Sequence, residues 1–358
     1  MSFPAAARAA PWRGVSLALA SAILFGASTP VVKILLGSVD PWMMAGLLYL
    51  GAGFGLAIVH VLRRPLGLAA AEAPLRTRDI PRLVAVVLAG GVAGPLLLMF
   101  GLARTDASSG ALLLNLEGLA TMGIAWIVFR ENVDRRLLLG AFAILAGAAL
   151  LSWGGGVELN LGAALIAAAC LAWGIDNNLT RTLSAADPVQ IAMVKGLVAG
   201  AVNLALALSQ GASLPSLGTT LYVGVVGFLG YGASLALFVL ALRHLGTART
   251  GAYFSLAPFI GALLAIVLLG EPITAPLLAA GALMAIGLYL HLAERHEHEH
   301  VHDAMAHEHR HVHDEHHRHA HSENDPRGEP HSHWHRHAPL VHRHPHYPDL
   351  HHRHVHTR

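Results

Sequence analysis

Few side chains within the apolar stretches of this chain are equipped for chemistry. Glu117 sits midway along the run 107–129, with Asn115 two residues before it and Thr121 one helical turn after it. On a helix, Glu117 and Thr121 share a face. No basic residue is predicted at the same depth, and a carboxyl buried without a counter-charge favours its protonated form. Such a group can carry a proton or bind a cation; the plainer role is a hydrogen bond between helices. A second group is Asp176, Asn177 and Asn178 near the end of the run 159–180, with Lys195 in the next run. At 1.5 Å per residue, Asp176 lies about 7 Å and Lys195 about 10 Å in from the same side, so the two can pair. That pair serves equally well as a clamp between helices or as part of a binding site. Asn177 and Asn178 are the better binding groups, because their amides need no counter-charge.

A third set is C-terminal. Twenty-four of the 26 histidines lie from His291 onward, mixed with Glu, Asp and Arg. Neutral imidazole suits nickel, copper, zinc and cobalt. His296, His298, His300, His302, His307, His309, His311, His313, His316, His317, His319 and His321 are therefore candidate metal ligands, without one fixed geometry. Few apolar residues interrupt them, so the segment 293–358 is expected to be disordered.

The elements that must position these groups follow from composition. The chain has 358 residues, 54% hydrophobic and 13% charged, against about 25% charged in soluble domains. There is no basic domain with interleaved aromatics, which excludes nucleic acid as a partner. Cys170 is the only cysteine, which excludes a disulfide framework and a cysteine zinc site. Ten stretches have the roughly 20 apolar residues that cross a bilayer: 14–36, 41–62, 82–102, 107–129, 136–153, 159–180, 188–209, 217–242, 248–270 and 275–292. The first follows Arg8 and Arg13 as a signal peptide would, but it continues to Leu36 and reads as a span. Small residues at Ala18, Ala22 and Gly26, and at Gly196 and Gly200, mark helix contacts. With the N-terminus in the cytosol, nearly all loop arginines fall inside, and only Arg104 and the nearby Lys33 fall outside. Basic residues collect on the cytosolic side, so both termini are expected there, in a multi-pass protein of the plasma (inner) membrane.

The chain also matches itself. At an offset of 148, Phe25-Gly26 falls on Trp173-Gly174 and Lys33 on Arg181; at 140, Gly90 falls on Gly230, Leu116 on Leu256, Gly118 on Pro258 and Glu131 on Glu271. Five spans per copy is odd, so the second copy enters the membrane inverted, the architecture of alternating-access transporters. Glycines and proline interrupt the third span at Gly90, Gly91, Gly94 and Pro95. Gly224, Gly227, Gly230 and Gly232 do so in the eighth. Such matched interruptions point to a transport site, or to tight packing alone. Glu131 and Glu271 read as helix-end and loop-fixing residues.

The segment 107–153, with Leu116-Glu117-Gly118, Phe129-Arg130-Glu131 and Leu139-Gly140, resembles the EamA domain of the drug/metabolite transporter superfamily. So does 247–290, with Leu256-Ala257-Pro258 and Leu268-Leu269-Gly270-Glu271. Gly118 stands where that family usually has proline, which implies a weaker kink than at Pro258. The resemblance implies an all-α integral membrane fold of ten helices, in two inverted five-helix repeats at 14–153 and 159–292. It further implies a secondary transporter, usually an exporter, whose cavity is lined by the first, third, fourth, sixth, eighth and ninth spans.

Together these features lead to an expectation of proton-coupled export. A divalent transition metal such as nickel or cobalt is the first-choice substrate. The alternative is an amino acid or other small metabolite, with the tail buffering metal or regulating. No catalytic constellation points to an enzyme, and no cofactor is required. The partners are the bilayer and the substrate, and the chain works as a monomer or homodimer. Deleting residues 296–358 should leave the body inserted and folded, as membrane fractionation and size-exclusion chromatography will check; loss of the body from the membrane would make the tail structural.

Overall fold

The computed structural model describes residues 11–63, 77, 80–129, 135–153, 160–181, 188–245, 247–292 and, in the tail, 296–302, 305–311, 331–337 and 340–346. The chain divides into two units, Met1–Ala293 and Glu294–Arg358. Ten helical rods make up the described residues of the first. They are α1 (Pro11–Leu35), α2 (Pro41–Arg63), α3 (80–102), α4 (107–129), α5 (Arg135–Ser152), α6 (Leu161–Arg181), α7 (Pro188–Ser209), α8 (217–245), α9 (247–269) and α10 (Ala275–Leu292).

Eight of these rods are long and apolar enough to cross a membrane, where sequence alone counts ten. The polar residues Asp176, Asn177, Asn178 and Thr180 set α6 apart from them. In α10 the apolar stretch Ala275–His291 is too short.

Four rods are irregular, in matched pairs. A π-helical turn at Val87–Ala93 splits α3, and one at Phe228–Ala233 splits α8. Between Ala107–Leu113 and Leu116–Phe129, α4 breaks; α9 breaks between Thr247–Phe254 and Ala257–Leu269. Pro258 accompanies the break in α9. The α4 break occurs without a proline, beside Gly118.

Neighbours obey the same exchange of halves. The pairs α2–α7, α4–α9 and α5–α10 map onto themselves, while α1–α8 maps onto α6–α3 and α1–α9 onto α6–α4. Because lipid is as apolar as the side chains, such helices associate through close packing. Glycine supplies it here. A Cβ on Gly196 would lie 2.8 Å from Gly53 Cα, and one on Gly200 would lie 2.6 Å from Leu50 N. The helices α2 and α8 touch backbone to backbone, Gly51 on Gly224 and Gly227 on Leu48. Gly26 seats α1 on Ala257 and Gly261 of α9, and its repeat counterpart Gly174 seats α6 on Ala120 and Thr121 of α4. A reciprocal serine pair adds to the α1–α8 contact: Ser21 Oγ donates to Ser234 O at 2.7 Å and Ser234 Oγ to Ser21 O at 2.9 Å.

The tail unit differs from the expected disorder in four stretches. β1 (His296–His302) pairs antiparallel with β4 (Leu340–His346), and β2 (Met305–His311) with β3 (His331–His337). Histidine at every second position matches the two-residue period of a strand, and pairing satisfies the backbone groups that a coreless segment would leave to water. His313, His316, His317, His319 and His321 lie outside the described residues.

The glycine contacts carry a direct test. Gly196→Leu should destabilise the protein by about 1–3 kcal/mol through overpacking. At Gly251 an added Cβ meets nothing within 4 Å, so Gly251→Ala should be neutral or stabilise by up to ~1 kcal/mol. Thermal unfolding in detergent measures both.

Candidate functional site

The sixth helix places its polar residues against α3, α4 and α7 at once. From α6, Asn177 Nδ2 donates to Glu117 Oε1 at 3.0 Å and to Thr121 Oγ1 at 3.1 Å. Asn178 Nδ2 donates to Thr121 O at 3.0 Å and Gly174 O at 2.8 Å. Both neighbours of that nitrogen are carbonyl oxygens, which fixes which end of the Asn178 amide is which. Thr121 Oγ1 donates to Glu117 O at 2.9 Å, one turn back. Glu117 is therefore not isolated, as its sequence context suggested: Asn177 reaches it across 60 residues of chain.

Glu117, Thr121, Asn177 and Asn178 line a cavity of about 430 Å³ together with Gly118, Met122 and Ala125. Each amide nitrogen spends both its hydrogens inside the cluster, and the threonine hydroxyl spends its one. What remains for a ligand is acceptor oxygen, from the Glu117 carboxyl and the two asparagine carbonyls. Asn115 is not part of this group. Its amide donates to Leu112 O at 2.8 Å and reaches Met284 Sδ of α10 at 3.8 Å.

Asp176 and Lys195 face away from that cavity, toward α3. Lys195 Nζ lies 2.6 Å from Asp176 Oδ2, and Thr180 Oγ1 donates to Asp176 Oδ1 at 3.1 Å. The aspartate is 3% exposed and the lysine side chain 22%, so the pair is buried at its acidic end and holds α6 to α7. The glycines of α3 explain its place. A Cβ on Gly90 would land on the Asp176 carboxyl, one on Gly91 would lie 2.5 Å from Ala199 Cβ, and one on Gly94 would lie 2.6 Å from Trp173 Nε1. Those glycines are a bed for α6 and α7, so in this third helix packing accounts for the interruption.

Three residues that sequence did not single out complete this layer. At the π-helical turn of α3, Tyr49 Oη donates to Gly90 O at 2.9 Å and Trp173 Nε1 to the same oxygen at 3.0 Å. Asn203 Nδ2 donates to Gly91 O at 3.0 Å. A π-helical turn disturbs the regular bonding of its carbonyls, and these donors attend to two of them. Asn203 is an amide inside an apolar run, a signal of the kind that drew notice to Asn177. Tyr49 and Trp173 carry no such signal, since an aromatic in a span is most often packing.

Residues 12–153 and again 160–293 match the EamA-like transporter family. The chain belongs to the EamA-like transporter family. An "Uncharacterized transporter" of Methanothermobacter thermautotrophicus is 31% identical over 295 residues, covering 78% of this chain and 85% of that protein. A protein crystal structure, 19% identical, superposes with a TM-score of 0.58 over 77% of this chain and 95% of its own, and so shares the fold. This EamA-like chain is accordingly a multi-pass membrane transporter with the domain repeated twice.

Removing Asp176 leaves the partly exposed Lys195 without its counter-charge. Asp176→Asn should cost about 1–3 kcal/mol, and adding Lys195→Met should recover much of it. Detergent unfolding of the single and double variants checks this; equal losses in both would mean that the two residues are not coupled.

Proposed function

We propose that this EamA-like protein is a proton-coupled secondary exporter of an amine-bearing small metabolite, bound in the α4–α6 cavity with Glu117 as its coupling carboxyl. The observation that carries this reading is the acceptor-only character of the cavity. A protonated amine brings up to three donors and one positive charge, the complement of one carboxyl and two amide oxygens. A proton on Glu117 competes with that charge for the same oxygens, so the two ligands exclude one another, and exclusion is what exchange requires.

In this reading α6 and α10 also cross the bilayer, giving ten spans in two inverted five-helix halves, with both termini cytosolic. The family match in two successive copies and the exchange symmetry of the helix neighbours support it. The polar step that sets α6 apart faces α3, α4 and α7, where intramembrane polar groups belong. Alternation of access then follows from exchanging the conformations of the two halves.

Transport of nickel or cobalt is the second reading, and the alternating histidines of the tail favour it. The body offers those ions less. Among the described residues no three His, Cys, Asp or Glu side chains gather into a metal site, and carboxyl and amide oxygens suit harder cations than these.

Glu117→Gln decides the coupling. The change keeps size and hydrogen bonding and removes the titration. In vesicles loaded with labelled amino acids or amines, substrate exchange should persist, while export driven by a pH gradient falls to background. Wild-type pH-driven export at normal expression would remove Glu117 from the mechanism. Labelled nickel moved by the full chain, and not by a chain lacking 296–358, would favour the metal reading instead.

A further inference from the structure

The cavity between α4 and α6 has two unlike edges, and an ammonium group accounts for only one of them. Five of the residues that line it come from α4: Glu117, Gly118, Thr121, Met122 and Ala125. Counted round the helix from Glu117, Thr121 lies at about 40°, Ala125 at about 80°, Gly118 at about 100° and Met122 at about 140°. The near edge holds the carboxyl and the threonine, and Asn177 of α6 joins them there. On the far edge the side chains are carbon and one thioether sulfur. A charged head drawn to Glu117 therefore has the rest of its molecule lying along Ala125, Gly118 and Met122.

Gly118 is the open point of that far edge. It is exposed, and a Cβ there would meet nothing within 4 Å. Gly90, Gly91 and Gly94 of α3 are different, since a Cβ on any of them would strike α6 or α7. No helix contact calls for a glycine at 118, and glycine weakens the helix that contains it. What it supplies is space on the cavity wall. The repeat counterpart of this position carries the ring of Pro258, so only the α4 half has a bare position here. Met122 is half-buried beside it, an adaptable apolar side chain, and Ala125, 6% exposed, is a small floor.

We infer that Gly118, Met122 and Ala125 form an apolar slot for the hydrocarbon body of the substrate, with Gly118 as the specificity-determining position. The substrate class is then a primary amine with an apolar body. Polyamines and hydroxylated amines fit poorly, because a second polar or charged group would lie against Met122 and Ala125 without a partner. This deepens the reading of the cavity as an amine site and rests on it.

Straight-chain amines test the slot, because the head and its charge stay constant while the body grows. The full chain in lipid nanodiscs is titrated calorimetrically with propyl-, butyl-, pentyl- and hexylamine, and empty nanodiscs correct for partition into lipid. The Kd should fall about fourfold for each added methylene, a spread of about 60-fold across the series. Hexane-1,6-diamine, with a second charge at the far end, should bind about tenfold or more weakly than hexylamine. Gly118→Leu fills the slot and should shrink the spread to about fourfold or less. Met122→Gln, similar in length but polar, should shrink it as well. Glu117→Gln should weaken every amine about tenfold or more. A series without chain-length dependence, or a dependence that Gly118→Leu leaves intact, would overturn the slot while loss of binding in Glu117→Gln upholds the amine site. Binding that Glu117→Gln does not weaken would overturn both. Thermal unfolding verifies that each variant is folded.

Discussion

Direct contact between helix backbones is the constraint on which this structure depends. In a bilayer no hydrophobic drive brings one apolar helix to another, so attraction must come from short-range packing and from polar groups hidden from lipid. Gly53 against Gly196 and Gly51 against Gly224 bring α2 onto α7 and α8 at a distance that any side chain would prevent. Once α2 and α7 are in place, α3 and α8 lie across them, and α6 and α1 close over α3 and α8 in turn.

The polar residues depend on that closeness. Asp176 can sit against α3 only because position 90 has no side chain, and Lys195 reaches it from α7 only because Gly91 leaves room beside Ala199. The same helix that hides Asp176 turns Asn177 to the other side, onto Glu117 and Thr121. Adjacent residues on one helix therefore serve two tasks: one anchors α6 and the next presents acceptors to a cavity. Replacing either changes its own side of the helix first.

Much of this was legible from residues alone, and what was not has physical causes. Runs of apolar residues locate helices well because the bilayer length is a strict filter. The repeat could be read because Phe25-Gly26 and Trp173-Gly174 face equivalent partners. Glu117 stood out as a carboxyl in an apolar run. Its bond to Asn177 did not, since that depends on how two helices are rotated about their axes. Asn115 bonds to Leu112 and Met284 and not to the cluster, two residues being most of the way to the opposite face of a helix. The glycines of α3 could be read as a substrate site or as tight packing, and neighbours far along the chain, Asp176, Trp173 and Ala199, decide for packing. In the tail, composition argued for disorder, while the alternation His296-Glu297-His298-Glu299-His300 carries a strand's period that composition ignores.

The π-helical turns in α3 and α8 have a bearing on ancestry. Such a turn holds one residue more than the α-helical turn it replaces, so each is the mark of an insertion. Val87–Ala93 and Phe228–Ala233 occupy matching places in the two halves, around Gly90 and Gly230. Two independent insertions at one spot are a less economical history than a single earlier one. A lone five-helix ancestor that already carried the extra residue, and passed it to both copies when its gene doubled, accounts for the pair.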